Sequence, residues 1–278
     1  MEQKDKGNLY IIATPIGNLE DITLRALKIL KEVDLIAAED TRHTLKLLNH
    51  YEISKPLISY HRHNEEVRTE TLIKRLKEGQ NIALVSDAGT PGICDPGEEV
   101  IKKCIEEGIS VIPIPGACAM INALICSGIS TNEFTFLGFL PLNKKLRREK
   151  LREIEESINT IIIYEAPHKI SSTLKDLQEV INDRKLVLAR ELTKIHEEFI
   201  RGTIEEIIDK SKDLKGEMII IIEGKNMTEK ENDLNQLTLE EHYNYYQSQG
   251  LDKKEIIKKI AKDRNVNKNE IYIKFIKK

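Results

Sequence analysis

Up to residue 224, short apolar runs alternate with longer stretches in which apolar residues recur at helical spacing. The runs end in turn residues, which is the pattern of parallel strands joined by helices. The first half of the chain is predicted to hold five strands, at 9–13, 33–38, 56–60, 81–86 and 111–114. The helices predicted between them include 22–31, 65–78 and 97–107. The sequence therefore predicts an α/β domain at this end of the chain.

A second series of strands follows Pro113-Ile114-Pro115-Gly116, which breaks the rhythm. A helix of small residues at 117–127 leads to predicted strands at 135–139, 160–164, 186–189 and 217–223. The composition turns polar from 226 to 236, as in linkers, and the remainder is helical in pattern. We therefore predict an α/β protein with two α/β domains, 1–115 and 116–225, followed by a linker and a small helical unit at 226–278.

Basic residues are clustered although the chain as a whole is not basic. Of the 278 residues, 40% are hydrophobic and 32% are charged, but the formal net charge is only −3, so affinity for nucleic acid has to come from local patches. Residues 251–278 contain ten Lys or Arg against four Asp or Glu. Residues 144–152 contain six Lys or Arg, among them Lys144, Lys145, Arg147 and Arg148. A solvated helix face explains one such run, whereas two favour an anionic macromolecule as partner.

The basic end of the chain also has a helical pattern. Apolar residues at helical spacing in 255–262 and 271–276 flank a turn at 265–267. Two short helices joined by a tight turn resemble a helix-turn-helix unit.

The sequence disfavours a membrane protein, a disulfide-bonded protein and a metal-binding protein. No stretch approaches 18 apolar residues and the amino terminus lacks a secretion signal, so we expect a cytoplasmic protein without membrane contact. The four cysteines form no Cys-x-x-Cys pair and lie in or beside apolar stretches, which favours free thiols. His61 and His63 alternate on an extended segment and should point to opposite faces, so no metal site is expected there.

Four loops at predicted strand ends carry the candidate chemistry of the first domain: TPIGN (14–18), EDTR (39–42), SDAGTPG (86–92) and PGA (115–117). Parallel strands end at one edge of the sheet, where α/β folds bind ligands. Glycines admit close backbone contacts, and Asp87 offers a carboxylate. No Gly-x-Gly-x-x-Gly or Gly-x-x-x-x-Gly-Lys-Ser/Thr occurs, which disfavours ordinary NAD and ATP sites. The alternatives are a tight turn at Asp87 and helix caps at Asp40 or Thr41.

Two further polar clusters follow apolar strands in the second domain. One is YEAPHK (164–169), and the other contains Arg190, Glu191 and Lys194. Their place at strand ends favours a site, although mixed charges more often form salt bridges between domains.

Taken together, the motifs ATPIGNLEDIT, AAEDTRHT, SDAGTPGICDPG, PIPGACA, GFLP, YEAPHKI, ARELTKIHEE and KGEMIIIIEG resemble those of a known family. This is the tetrapyrrole methylase superfamily and, within it, the bacterial 16S ribosomal RNA (cytidine-2'-O)-methyltransferases of the methyltransferase I type. The resemblance spans 9–224, and the basic tail is similar to the family's terminal helix-turn-helix.

The resemblance implies that S-adenosylmethionine lies in a cleft between two α/β domains of the tetrapyrrole methylase type, usually in a homodimer and without a metal. Carried onto this sequence, cofactor contacts are expected at Pro15, Asp87, Ala88, Gly89, Thr90, Pro115, Gly116, Ala117, Tyr164 and Glu165. Cys94 and Cys118 stand where the family usually has serine. Because a thiol is a poorer hydrogen-bond partner, neither cysteine is assigned to the site.

The implied reaction is 2'-O-methylation of a cytidine in 16S ribosomal RNA near the decoding centre, on naked RNA or the small ribosomal subunit. A base must take the proton of the ribose hydroxyl, and we expect Asp40 or Glu191 in this role. Arg42, Arg190 and Lys194 are expected to hold the flanking phosphates, together with the basic run at 144–152. The alternatives are a methyltransferase acting on a corrin precursor, and a non-catalytic RNA-binding assembly factor.

Overall fold

The computed structural model describes residues 6–181, 183–211, 214–225, 234, 237–264 and 266–276. The chain forms two compact units, Met1–Gly224 and Lys225–Lys278. Both sheets lie in the first unit, so the predicted domain boundary at 115/116 stays a prediction. It falls in the loop that joins the two sheets.

The first sheet consists of five parallel strands in the order β3-β2-β4-β1-β5. Their bounds are Leu9–Ile12 (β1), Leu35–Ala38 (β2), Leu57–Ser59 (β3), Ile82–Val85 (β4) and Val111–Ile114 (β5). The five predicted strands are confirmed, with ends that differ from the prediction by at most two residues. Because all five run the same way, the loops that follow β1, β2, β4 and β5 meet at one edge.

Helices cover both faces of this sheet. They are Leu24–Glu32 (α1), Thr41–His50 (α2), Glu65–Lys77 (α3) and Glu98–Glu106 (α4). Side chains of successive strand residues alternate between two buried clusters, as the pleat requires. Leu35 and Leu84 pack in the cluster that contains residues of α3 and α4, whereas Ile36 and Val85 pack in the one that contains residues of α1 and α2.

The second sheet is mixed, in the order β6-β7-β10-β8-β9. Its strands are Phe134–Phe139 (β6), Thr160–Glu165 (β7), Leu186–Arg190 (β8), Glu198–Gly202 (β9) and Met218–Ile222 (β10). The expectation of parallel strands fails here, since β10 is antiparallel to β7 and β8, and β8 to β9. Strand β9 was not predicted, because it is an edge strand of mixed polarity, EFIRG, directly after a charged loop.

The direction of β10 decides what gathers at one edge of this sheet. Strands β7 and β8 both run opposite to β10, so their carboxyl ends lie at the same edge as the amino end of β10. Helix Ala119–Ser127 (α5) packs one face of the sheet, in a cluster with Ile162 and Val187. The other face packs against helices Lys144–Glu156 (α6), Ile170–Gln178 (α7) and Ile204–Lys210 (α8).

The second unit is helical, as predicted, with helices Leu239–Gln247 (α9), Lys253–Asp263 (α10) and Lys268–Ile276 (α11). Their apolar faces share one core that includes Tyr246, Ile256, Ile260 and Ile271. The predicted linker lies outside the described residues except for Leu234, as does Asn265 of the predicted turn. In the part of the chain that the structure describes, no helix combines the length and apolarity that a membrane span requires.

Candidate active site

A cavity of about 560 Å³ lies in the first unit, a size typical of small-molecule sites. Residues that follow β1, β2 and β4 of the first sheet line it together with residues at the β7, β8 and β10 ends of the second sheet. The loops on the two sides also touch each other. The backbone N–H of Asn18 donates a hydrogen bond of 3.1 Å to Oγ1 of Thr193, and Gly17 packs so closely that an added Cβ would lie 2.7 Å from the carbonyl oxygen of Leu192.

Hydrogen bonds fix the loop after β4 on three sides. The backbones of Thr14 and Gly89 exchange bonds of 2.8 and 3.0 Å. The Thr90 hydroxyl donates to the carbonyl oxygen of Ala117 at 3.1 Å, and the Asp87 carboxylate accepts from the backbone N–H of Asp40 at 3.0 Å. Gly89 has φ +81°, a conformation that side chains disfavour. The loop is therefore a preformed element of the cavity wall.

The expected cofactor residues divide into two groups. Asp87, Ala88, Gly89, Thr90, Tyr164 and Glu165 line the cavity. Pro15, Pro115, Gly116 and Ala117 do not line it, although Ile16 and Cys118 beside them do. Ala117 supports the wall through Thr90, and Gly116 packs against Ala13. For both groups, contact with a cofactor stays a prediction.

Tyr164 and Glu165 are held firmly at the end of β7. The Tyr164 hydroxyl accepts a hydrogen bond of 3.0 Å from the backbone N–H of Met120, and its ring packs edge-on against Phe136 and Phe139. Burial raises the pKa of Tyr164, so its hydroxyl stays protonated. Glu165 is 4% exposed and accepts a hydrogen bond of 2.5 Å from the hydroxyl of Thr173.

The cavity is strongly acidic. Six of its lining residues carry carboxyl groups: Glu39, Asp87, Asp95, Glu165, Glu191 and Glu217. Burial and, next, the charge of Glu39 raise the pKa of Asp95 to about 6. Burial and the charge of Asp87 also raise the pKa of Glu39. Such a site favours a ligand that carries positive charge and repels phosphate.

The two expected bases differ in position. Asp40 does not line the cavity: its carboxylate caps α2 and pairs with the Arg42 guanidinium at 2.7 Å, which holds the pKa of Asp40 well below its usual range. A carboxylate so stabilised in its charged form is a weak base, so the geometry argues against Asp40. Glu191 lines the cavity, with φ +50°, but it pairs with Lys194 at 2.9 Å.

Most of the cations expected to hold RNA are engaged within the chain. Arg190 pairs with Glu198 at 2.7 Å, and Arg147 pairs with Asp176 at 2.7 Å while donating to the Thr173 hydroxyl at 2.8 Å. Lys194 and Arg42 form the pairs described above, although the Arg42 side chain is 87% exposed. Lys144, Lys145 and Arg148 are exposed on α6 and, with Arg152, line a shallow groove there.

The cavity also contains residues that the sequence alone did not single out. They are Glu39, Ile93, Asp95, Phe139, Glu217 and Met218, among others. Cys94 and Cys118, which are not assigned to the predicted site because a thiol is a poorer hydrogen-bond partner than serine, also line the cavity. Glu39 and Asp95 lie within motifs already noted, EDTR and SDAGTPGICDPG, so their strand-end position was a signal for both. Glu217 also lies within a noted motif, KGEMIIIIEG, but its place at the cavity could not be predicted because it depends on the reversed direction of β10. The four cysteines are free; Cys104 is buried, Cys94 and Cys118 are half-buried, and Cys126 is exposed.

Residues 8–208 match the family described as Tetrapyrrole (Corrin/Porphyrin) Methylases. The chain belongs to this family. This tetrapyrrole methylase is 49% identical over 275 residues to Ribosomal RNA small subunit methyltransferase I of Halalkalibacterium halodurans, a match that covers 98% of the chain and 95% of the relative. The family resemblance seen in the motifs, down to the methyltransferase I type, is therefore confirmed.

Another relative is shorter than this tetrapyrrole methylase. Ribosomal RNA small subunit methyltransferase I of Thermotoga maritima is 48% identical over 222 residues, which are 79% of this chain and 99% of the relative. The matched length is close to the 224 residues of the first unit. That relative therefore has no stretch equivalent in length to the second unit.

Among solved structures, the fold matches the uroporphyrin-III C-methyltransferase of Thermus thermophilus complexed with S-adenosylhomocysteine. The TM-score is 0.56 at 16% identity, and the match covers 78% of this chain and 97% of that one. This match supports the predicted α/β fold class of the tetrapyrrole methylase type. The two β-sheets with their flanking helices, followed by a helical unit, confirm it. Within the described residues, no three His, Cys, Asp or Glu side chains are grouped as a metal site would require.

Proposed function

We propose that this protein transfers a methyl group from S-adenosylmethionine to the ribose 2'-hydroxyl of a cytidine in 16S ribosomal RNA, near the decoding centre. The observation that carries the proposal is the 49% identity, over nearly the whole chain, to a relative named as a small-subunit ribosomal RNA methyltransferase. The acidic cavity supports binding of the positively charged methyl donor, and exposed basic residues elsewhere support binding of the RNA phosphates.

The cofactor is S-adenosylmethionine, and the residues of the cavity fit it. Its sulfonium and ammonium groups are positively charged, and the six carboxyl groups of the wall offer charge of the opposite sign. We propose that Asp87, Gly89 and Thr90 hold it from the first sheet, and that Tyr164 and Glu165 do so from the second. When bound, it supplies a methyl group already activated for transfer.

The task of the protein is then mainly alignment, whose entropic benefit can reach roughly 7–11 kcal/mol. Two closely packed loops, at Gly17 and Thr193, fix the position of one sheet against the other at the cavity. The same acidic wall repels the RNA backbone. We therefore propose that phosphates are held outside the cavity, by the exposed Arg42 in the first turn of α2 and by Lys144, Lys145 and Arg148 on α6.

The proposal is tested by supplying purified protein with methyl-labelled S-adenosylmethionine and either small ribosomal subunits or naked 16S RNA. Complete nuclease digestion followed by mass spectrometry should give 2'-O-methylcytidine, and mapping should place it at one position. A methylated base, or methylation at another nucleotide, would contradict the finer proposal. In a parallel reaction the RNA is replaced by uroporphyrinogen or a corrin precursor. If the RNA stays unlabelled and the small molecule is methylated, the small-molecule alternative is favoured.

A titration calorimetry experiment separates an enzyme from a non-catalytic assembly factor. We expect S-adenosylmethionine to bind the wild type and to bind the Asp87→Ala variant at least tenfold more weakly. The matched control is Asp34→Ala, at an exposed turn away from the cavity. Failure of the wild type to bind would exclude the enzymatic function, and unchanged binding by Asp87→Ala would exclude the assigned loop.

A further inference from the structure

We propose that Asp95 is the general base that accepts the proton of the attacking ribose hydroxyl. The inference rests on the proposed 2'-O-methylation and assigns the proton transfer to a residue outside both expected positions. Asp95 lines the cavity in the segment between β4 and α4, on the same wall as the cofactor loop.

Four of the other five carboxyl groups of the cavity have a hydrogen-bond or ion-pair partner within the chain. Glu165 accepts from Thr173, and Glu191 pairs with Lys194. Asp87 accepts from the backbone of Asp40, and Glu39 accepts from the backbone of Asp87. No hydrogen bond to the carboxyl group of Asp95 or of Glu217 is found among the described residues. Glu217 is exposed, whereas Asp95 is half-buried, so the Asp95 carboxyl group is the better placed of the two to meet a ligand inside the cavity.

The backbone on the amino side of Asp95 is contacted by residues of two other segments, at Arg62 and Gly138. Cys94 adopts a left-handed conformation with φ +63°, which is costly for a residue with a side chain. The guanidinium of Arg62 donates a hydrogen bond to the Cys94 carbonyl oxygen, and the Cys94 sulfur packs against Gly138 at the bulge of β6. These contacts hold the backbone of Cys94 and therefore help to position the neighbouring Asp95, as a general base requires.

Neighbouring charges suit Asp95 to the role. The groups that act on it come from several elements: Glu39 after β2, Arg62 after β3, Asp87 after β4 and Glu217 before β10. Burial and the three acidic neighbours raise its pKa to about 6, while Arg62 opposes them. A carboxyl group of this kind is ionised at neutral pH yet binds a proton more readily than an ordinary aspartate.

The proposed step balances in atoms and charge. An electron pair of the 2'-oxygen forms the new oxygen–carbon bond as the sulfur–carbon bond breaks, and that bond's electrons stay on sulfur. The hydroxyl proton passes to the Asp95 carboxylate and later to water. The products are the methylated ribose, neutral sulfide and a regenerated carboxylate.

The test compares single-turnover rates of methyl transfer at saturating cofactor and RNA, from pH 5 to pH 9. We expect the wild-type rate to rise tenfold per pH unit below an inflection near pH 6, and then to level off. The Asp95→Asn variant should be at least 100-fold slower, within the range usual for a lost base, and should lack the inflection. The matched control is Glu98→Gln, on the exposed surface of α4, which should behave as the wild type.

Two further variants leave Asp95 in place and move the inflection in opposite directions. Glu39→Gln removes a negative neighbour of Asp95 and should shift the inflection to lower pH. Arg62→Gln removes the positive neighbour and should shift the inflection to higher pH. The proposal is overturned if Asp95→Asn keeps the inflection, or if it loses cofactor affinity in calorimetry while keeping its rate at saturation. Failure of the wild type to make 2'-O-methylcytidine would instead refute the proposed function.

Discussion

The hydroxyl of Thr173 donates a hydrogen bond of 2.5 Å to the carboxylate of Glu165. The same hydroxyl accepts a bond of 2.8 Å from the guanidinium of Arg147. Thr173 is fully buried on α7, Glu165 lines the cavity and Arg147 belongs to the basic helix α6. One side chain therefore links a wall of the proposed cofactor site to the helix proposed to hold RNA.

Replacing Thr173 by valine should lower both stability and cofactor affinity. The change keeps the shape of the side chain but removes the donor to one oxygen of the buried Glu165 carboxylate, whose other oxygen still accepts from the backbone N–H of Ala166. The loss is about 1–3 kcal/mol in the free energy of unfolding. Urea denaturation and calorimetry measure the two effects. Ser172→Ala, on the exposed side of the same helix, removes only a local bond to Lys169 and serves as the control. Equal stability of Thr173→Val and wild type would contradict the prediction.

Arg147 and Arg148 should have different effects although they are neighbours in sequence. Arg148 is exposed, so Arg148→Gln should weaken RNA binding and reduce the salt slope of log K by about 1, with no change in stability. Arg147 is 17% exposed and paired with Asp176, so Arg147→Gln should mainly lower stability. Filter binding at several salt concentrations and urea denaturation distinguish them. The prediction fails if both variants lose RNA affinity equally and neither is less stable.

This pair illustrates what the sequence could and could not predict. Apolar runs located nine of the ten strands of the described residues, and the strand-end motifs located the loop at Asp87 that lines the cavity, because both depend on local pattern. Whether a cation on α6 faces solvent or Asp176 depends on packing between α6 and α7, which no local pattern records. The same limit applies at EDTR: the sequence placed an acid at the cavity, but the structure places Glu39 there and turns Asp40 to the helix cap.

The helical unit should lose stability as the pH falls below about 6.5. His242 is fully buried, its Nε2 lies 3.0 Å from the Asp263 carboxylate, and its Nδ1 accepts a hydrogen bond from the Arg264 guanidinium. This arrangement assigns a neutral imidazole that donates through Nε2. Burial, followed by the charge of Arg264, lowers the pKa of His242 below its ordinary 6.5, against the opposing effect of Asp263.

The sign follows from proton linkage. The unfolded chain binds a proton at His242 at a higher pH than the folded unit does, so the stabilisation is complete above pH 6.5 and declines as the pH falls toward the lower folded pKa. Amide hydrogen exchange of α9 and α10 between pH 7 and pH 5, corrected for intrinsic rates, measures the effect. In His242→Gln, which can still donate to Asp263, this dependence should be reduced. If the stability of the variant depends on pH as steeply as that of the wild type, the pH dependence comes from a group other than His242.

The second unit should contribute RNA affinity and not the chemical step. A relative from Thermotoga maritima has the same name as the longer relatives but matches only the length of the first unit. Lys253, Lys254 and Lys258 are exposed on α10, so changing all three to glutamine should raise KM for RNA and flatten its salt dependence, with kcat nearly unchanged. The matched control changes Lys28, Lys31 and Lys74, which are exposed on the first unit. A fall in kcat at saturating RNA for the α10 variant, but not for the control, would show that the second unit takes part in catalysis.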